Sequence, residues 1–94
     1  MNPSNLTISD FQQHIERKYA QYDRARDWSR TFAFLIEEVG ELATALSGDD
    51  RANLEEEFAD VVAWLCTLAN VANVDLATVI TKKYLGDEAP EGHK

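Results

Sequence analysis

The chain has 94 residues, with 17 Asp and Glu against nine Lys and Arg, for a formal charge of −8. A chain this short is one domain that buries only about 60–65% of its unfolded surface, so further copies of itself are a natural source of added core. The acidic balance argues against binding to a nucleic acid polymer or an anionic membrane surface, and the single cysteine, Cys66, excludes an internal disulfide, in keeping with a reducing cytoplasm.

Taken in chain order, residues 1–6 read as a flexible leader with neither the basic nor the apolar region of a signal peptide. Thr7 or Ser9 is positioned to cap a first helix whose buried stripe is expected to be Phe11, Ile15 and Tyr19. The segment YDRARDW, from Tyr22, reads as a loop or a fraying helix end. A second helix is predicted from about Ser29 to Leu46, with Phe32, Leu35, Ile36, Val39, Leu42, Ala43 and Leu46 recurring at three- and four-residue spacing. The run SGDD, Ser47 to Asp50, supplies a stop and a new cap. A third helix follows from about Arg51 to Val71, apolar on nearly all sides after Phe58. Cys66 falls in that apolar stretch, where an inert buried thiol is expected. The run from Phe58 to Ala72 contains Asp60, Thr67 and Asn70 and is too short and polar to span a bilayer. The NVD break, an Asp75 cap, and a fourth helix ending near Tyr84 complete a domain over 7–85, and 86–94 reads as a disordered tail.

The fold class is therefore all-α, a four-helix bundle. The short turn after Leu46 makes the second and third helices antiparallel neighbours. The all-round apolarity of the third suits the centre of an oligomer, so a homodimer or homotetramer is expected.

Against this background the acids of EEVGEL, Glu37 to Leu42, and EEFADV, Glu56 to Val61, are out of place. At about 100° per residue, Phe34, Leu35, Leu42 and Ala45 lie within about 60° of Glu38, as do Leu54, Val61, Trp64 and Leu68 of Glu57. Both glutamates thus project from largely apolar faces, with Glu41 and Asp60 one turn on. A carboxylate buried alone costs several kcal/mol or takes up a proton. Four converging acids call for a cation between them, and an all-oxygen set suits Mg²⁺, or Mn²⁺ as a substitute. Zinc is poorly served, and His14 and His93 do not complete the Glu-x-x-His pattern of di-iron bundles.

EEVGE, 15 intervening residues and then EFAD resemble the EExxE…ExxD signature of MazG-like nucleotide pyrophosphohydrolases, within the all-α NTP pyrophosphatase group. The similarity runs from about Trp28 to Tyr84. It implies a Mg²⁺-dependent enzyme that hydrolyses a nucleoside triphosphate to the monophosphate and pyrophosphate, as a homodimer or dimer of dimers. Carried over by the motif, Glu38, Glu41, Glu57 and Asp60 would be the metal ligands. Glu37 matches the first acid of the signature, and Glu37 or Glu38 would accept a proton from the attacking water. Glu56, its counterpart in the second motif, reads as a solvated acid.

Substrate contacts are expected from Lys82, Lys83 and Tyr84, which match a region where related proteins place phosphate-binding side chains, and from Trp28, whose indole can stack on a base. Trp64 reads as wall, Asn70 and Asn73 as helix-end polar groups, and Arg24, Arg26 and Arg30 as surface charges. The alternative to an enzyme is a helical module that holds a metal or a nucleotide without turning it over.

Overall fold

A computed structural model describes residues 3–93. A 3-10 turn, Pro3–Asn5, leads into four α-helices: α1 Ile8–Asp23, α2 Trp28–Leu46, α3 Arg51–Val71 and α4 Leu76–Tyr84. No strand occurs among the described residues, so the all-α class holds. No described helix is long and apolar enough to cross a membrane; α3 and α4 together reach the length but bend by 100° at their break.

Local chemistry sets the helix ends. Of the two expected caps for α1, Thr7 serves: its Oγ1 accepts from the Asp10 N–H at 3.0 Å, and the Asp10 carboxylate accepts from the Thr7 N–H at 3.4 Å. Each half of this box satisfies an amide that has no partner within the helix. Asp50 caps α3 by accepting from the Asn53 N–H at 3.1 Å. The chain leaves α3 through Asn73 at φ 60°, a left-handed conformation that asparagine tolerates better than most residues. Asp75 precedes α4 as expected, but its carboxylate accepts from the Thr78 hydroxyl at 2.9 Å and not from a backbone N–H.

The amide that α4 needs satisfied is met from α1. Gln12, buried on α1, accepts from the Leu76 N–H at 2.9 Å and donates to Asn70 Oδ1 at 2.9 Å and to the Val74 carbonyl at 2.7 Å. Asn70 returns a bond to the Gln12 carbonyl at 3.2 Å. The expected α1 stripe is corrected accordingly. Ile15 is buried, Phe11 is half-buried, and Tyr19 is 40% exposed, while the polar Gln12 occupies the inner position. A glutamine can sit there because its donors and its acceptor are matched by neighbours.

Helix α3 is the hub: α2 packs along it, α1 packs on another side, and α4 packs on α1. The predicted α2 stripe splits in two. Leu35 is buried and Leu42 half-buried, whereas Ala43 is exposed and Phe32, Ile36, Val39 and Leu46 are 42–59% exposed. Periodicity groups residues on one broad arc, but a single neighbouring helix covers only part of it. On α3, Phe58, Val62 and Leu65 are left exposed in the same way. Cys66, as expected, is wholly buried, and burial pushes its thiol pKa up.

Candidate metal centre

Helices α2 and α3 bring the acid pairs together where they pack. Ligand oxygens of Glu38, Glu41 and Glu57 all lie within 4.8 Å of one another. Glu38 and Glu57 are half-buried, flanked by the half-buried Leu42, Leu54 and Val61, while Glu41 is exposed at the rim. Apolar residues one turn either side thus hold both inner carboxylates out of bulk water.

The electrostatics record the cost. Glu38 is pushed from 4.5 up to about 7, first by burial, then by a Glu41 carboxyl close enough to share a proton, then by the charges of Glu41, Asp60 and Glu57. Glu57 is raised as well, by burial first and then by the charges of Glu41 and Asp60. One oxygen of each, Glu38 Oε2 and Glu57 Oε2, is buried with no hydrogen-bond partner. Orphaned buried carboxylate oxygens are rare, because each loses its hydration without compensation. A divalent cation seated among the three carboxylates would satisfy both oxygens and offset the mutual repulsion, so the residues present fit such an ion.

Asp60 stands outside this tight group and is exposed, although its charge acts on both inner glutamates. Glu37 is also exposed, next to Glu38 in sequence and one turn before Glu41. The expected substrate contacts fall at two helix ends, Trp28 at the start of α2 and the other three at the end of α4. Trp28 is 64% exposed and ten residues from Glu38, about 15 Å along the helix axis. Lys82, Lys83 and Tyr84 lie at the end of α4, which packs on α1. The Lys83 ammonium sits 5.7 Å from the Tyr84 ring, which also meets His93 at 5.5 Å.

The role of one further residue was not legible in the sequence. Arg26, in the loop between α1 and α2, is half-buried: its guanidinium lies 5.4 Å from the Phe34 ring and 5.3 Å from the Trp64 ring, and those rings meet at 5.2 Å. Its Nη1 donates to the buried Asp23 carboxylate at 3.2 Å. Phe34 lies one turn before Glu38, and Trp64 one turn beyond Asp60. Arg26, read from the sequence as a surface charge, is instead held half-buried between an aromatic pair and the Asp23 carboxylate. The signal available was its place between an acid three residues earlier and the aromatic-rich start of α2.

An all-helical domain with a half-buried three-carboxylate cluster between two antiparallel helices defines the class of acid-rich helical bundles suited to divalent-cation chemistry. The profile of the MazG nucleotide pyrophosphohydrolase domain matches residues 26–86, and the chain belongs to that family. Comparison with curated proteins gave no match. The matched span holds all four acids together with α2, α3 and α4, and begins at Arg26, after α1.

Proposed function

We propose that the protein is a Mg²⁺-dependent nucleoside triphosphate pyrophosphohydrolase that converts a (d)NTP and water to the monophosphate and pyrophosphate. The observation that carries this reading is the pair of orphaned oxygens, Glu38 Oε2 and Glu57 Oε2, within one three-carboxylate cluster, in a chain of the MazG family. Glu38, Glu41 and Glu57 would hold the ion, with Asp60 completing the set from the rim. When bound, Mg²⁺ supplies charge neutralisation of the phosphates and acidifies a coordinated water.

The protein's own groups have the remaining tasks. The apolar collar of Leu42, Leu54 and Val61 keeps bulk water from the inner carboxylates and so strengthens every charge interaction there. Glu37 or Glu38 accepts the proton of the water that attacks the α-phosphorus. The bond to the β-phosphate oxygen breaks, and pyrophosphate leaves. Lys82, Lys83 and Tyr84 would contact the phosphates of the substrate and Trp28 its base, within a homodimer or homotetramer. A cytoplasmic role in removing unwanted nucleotides is in keeping with this chemistry.

The test is pyrophosphate release across the dNTPs and NTPs with Mg²⁺ and with EDTA, using wild type, Glu38→Gln and Glu57→Gln. Wild type is expected to release pyrophosphate only with the metal, and each variant to lose about a hundredfold or more of that rate. Full turnover by both variants would overturn the reading. Mg²⁺-dependent nucleotide binding without turnover would favour a binding module.

A further inference from the structure

The seam between α2 and α3 is built in levels, and the acids are only some of them. The Phe34 and Trp64 rings meet across it at 5.2 Å, an early residue of α2 against a late one of α3, as antiparallel helices require. That pairing fixes the register. Four residues on along α2 and four back along α3, Glu38 comes level with Asp60. Three further, Glu41 comes level with Glu57, and ligand oxygens of these two lie within 4.8 Å. In the other direction Thr31 comes level with Thr67, and both are buried. The aromatic level thus separates a closed level from the acids, about 6 Å along the axis from the nearer pair. Against it lies the Arg26 guanidinium, 5.4 Å from the Phe34 ring and 5.3 Å from the Trp64 ring. We propose that Arg26 is a positioning residue for the metal centre. By engaging one ring from each acid-bearing helix together with the Asp23 carboxylate of α1, it holds α2 and α3 at the register and spacing where Glu38, Glu41 and Glu57 converge. This rests on the divalent-ion part of the proposed function, but not on turnover.

The acid levels cannot hold this seam together by themselves. The charges of Glu41, Asp60 and Glu57 all act against Glu38, and like charges this close repel. A metal-free chain therefore needs a neighbouring level that draws the helices together. Arg26 supplies that attraction. A cation beside an aromatic ring is drawn to its π-electrons, the more so when water is kept away, and the Arg26 side chain is only 21% exposed. The arginine is fixed in turn, because its Nη1 donates at 3.2 Å to the buried Asp23 carboxylate. A planar guanidinium can lie against rings and donate at its edge in one pose, which a lysine ammonium cannot do. An arginine present only to neutralise Asp23 would have no reason to lie against rings from two different helices. Ligands held in place before an ion arrives bind it more tightly, since less order remains to be imposed.

The experiment measures Mn²⁺ binding to the full-length protein without nucleotide, through the electron paramagnetic resonance signal of the unbound ion. Arg26→Met keeps most of the side chain's length and removes its charge, and should weaken Mn²⁺ binding about tenfold. Arg26→Lys, which leaves a cation over the rings, should weaken it less. Phe34→Leu should match Arg26→Met, and the double variant should bind no more weakly than either single one, because both remove the same clamp. Gln12→Ala, which loosens the α4 junction instead, should bind Mn²⁺ as wild type does, and so separates positioning from a general loss of stability. The proposal is overturned if Arg26→Met binds as tightly as wild type, if Gln12→Ala weakens binding as much, or if the two single losses add in the double variant. The expected order of affinities without pyrophosphate release from any nucleotide would keep the clamp and sink the hydrolase reading. Pyrophosphate release with affinities indifferent to Arg26 would do the reverse, and a wild type that binds no Mn²⁺ would sink both.

Discussion

At the residue scale the protein is governed by buried oxygens with nothing to bind. Glu38 keeps its proton in the folded chain until about pH 7, whereas in the unfolded chain it gives it up near 4.5. Below 4.5 both states are protonated and nothing is lost. Between 4.5 and about 7 the native state binds more protons than the unfolded state, so the stability of metal-free protein must fall as pH rises. The raised Glu57 pushes in the same direction. The urea midpoint of metal-free protein should therefore be lower at pH 8 than at pH 5. Mg²⁺ should recover much of the loss at pH 8, and its addition near pH 6 should release protons. Glu38→Gln should flatten the pH dependence and abolish the Mg²⁺ response. A wild-type midpoint that rises from pH 5 to pH 8 without metal would contradict this account. Thr31 offers a contrast without a metal. Its hydroxyl, on the inner face of α2, is wholly buried and unpartnered. Thr31→Val removes the orphan and keeps the shape, so it should stabilise the fold by about 1 kcal/mol, or about 4–8 °C in Tm.

At the scale of elements, the weakest attachment is that of α4. The helix has nine residues and none of them is buried. It has no side-chain cap of its own, and its hold on the domain passes through Gln12. Truncating Gln12 to Ala leaves the Leu76 N–H and the Val74 carbonyl without their partner. The expected cost is about 2–3 kcal/mol, with amide exchange in Leu76–Tyr84 accelerating more than in α3. Equal acceleration in both helices would mean that Gln12 serves the whole core and not this junction. The same junction shows why the elements were legible but their partners were not. The run from Arg51 to Val71 stood out as a helix because apolar residues, a capping aspartate and a following NVD break agreed. The acid pairs were legible for the same reason, since the 3.6-residue period alone places Glu38 and Glu57 on apolar faces. Gln12 carried no such signal: a lone glutamine in a polar run becomes an inner residue only when the end of α3 and the start of α4 arrive to match its amide. Tyr19 failed in the opposite sense, because period predicts a face and not the helix that covers it. Arg26 was hidden by its loop, where no periodicity operates.

At the scale of the molecule, one chain exposes more surface than its mass requires. Its accessible surface is 7189 Å², about 1700 Å² above the roughly 5500 Å² usual for a monomer of its mass. Its radius of gyration of 14.8 Å likewise exceeds the about 12 Å of a compact domain of this length. Large apolar side chains form part of that exposed surface. Phe32, Ile36, Val39 and Leu46 recur along one side of α2, and Phe58, Val62 and Leu65 along α3, all exposed. Each set keeps a helical spacing and lies well round the helix from Glu38 and Glu57, so covering it would leave the acids free. Exposed apolar side chains in one contiguous stripe mark a surface suited to association, so we expect self-association through it. Ile36→Glu combined with Val62→Glu places four like charges in a symmetric interface while altering no buried side chain. Sedimentation should find wild type as a dimer or tetramer and the double variant as a monomer, with helical circular dichroism retained at low temperature. The wild-type unfolding midpoint should rise with protein concentration and that of the variant should not, because stability drawn from association follows mass action. A wild-type chain that sediments as a monomer at every concentration would refute the oligomer.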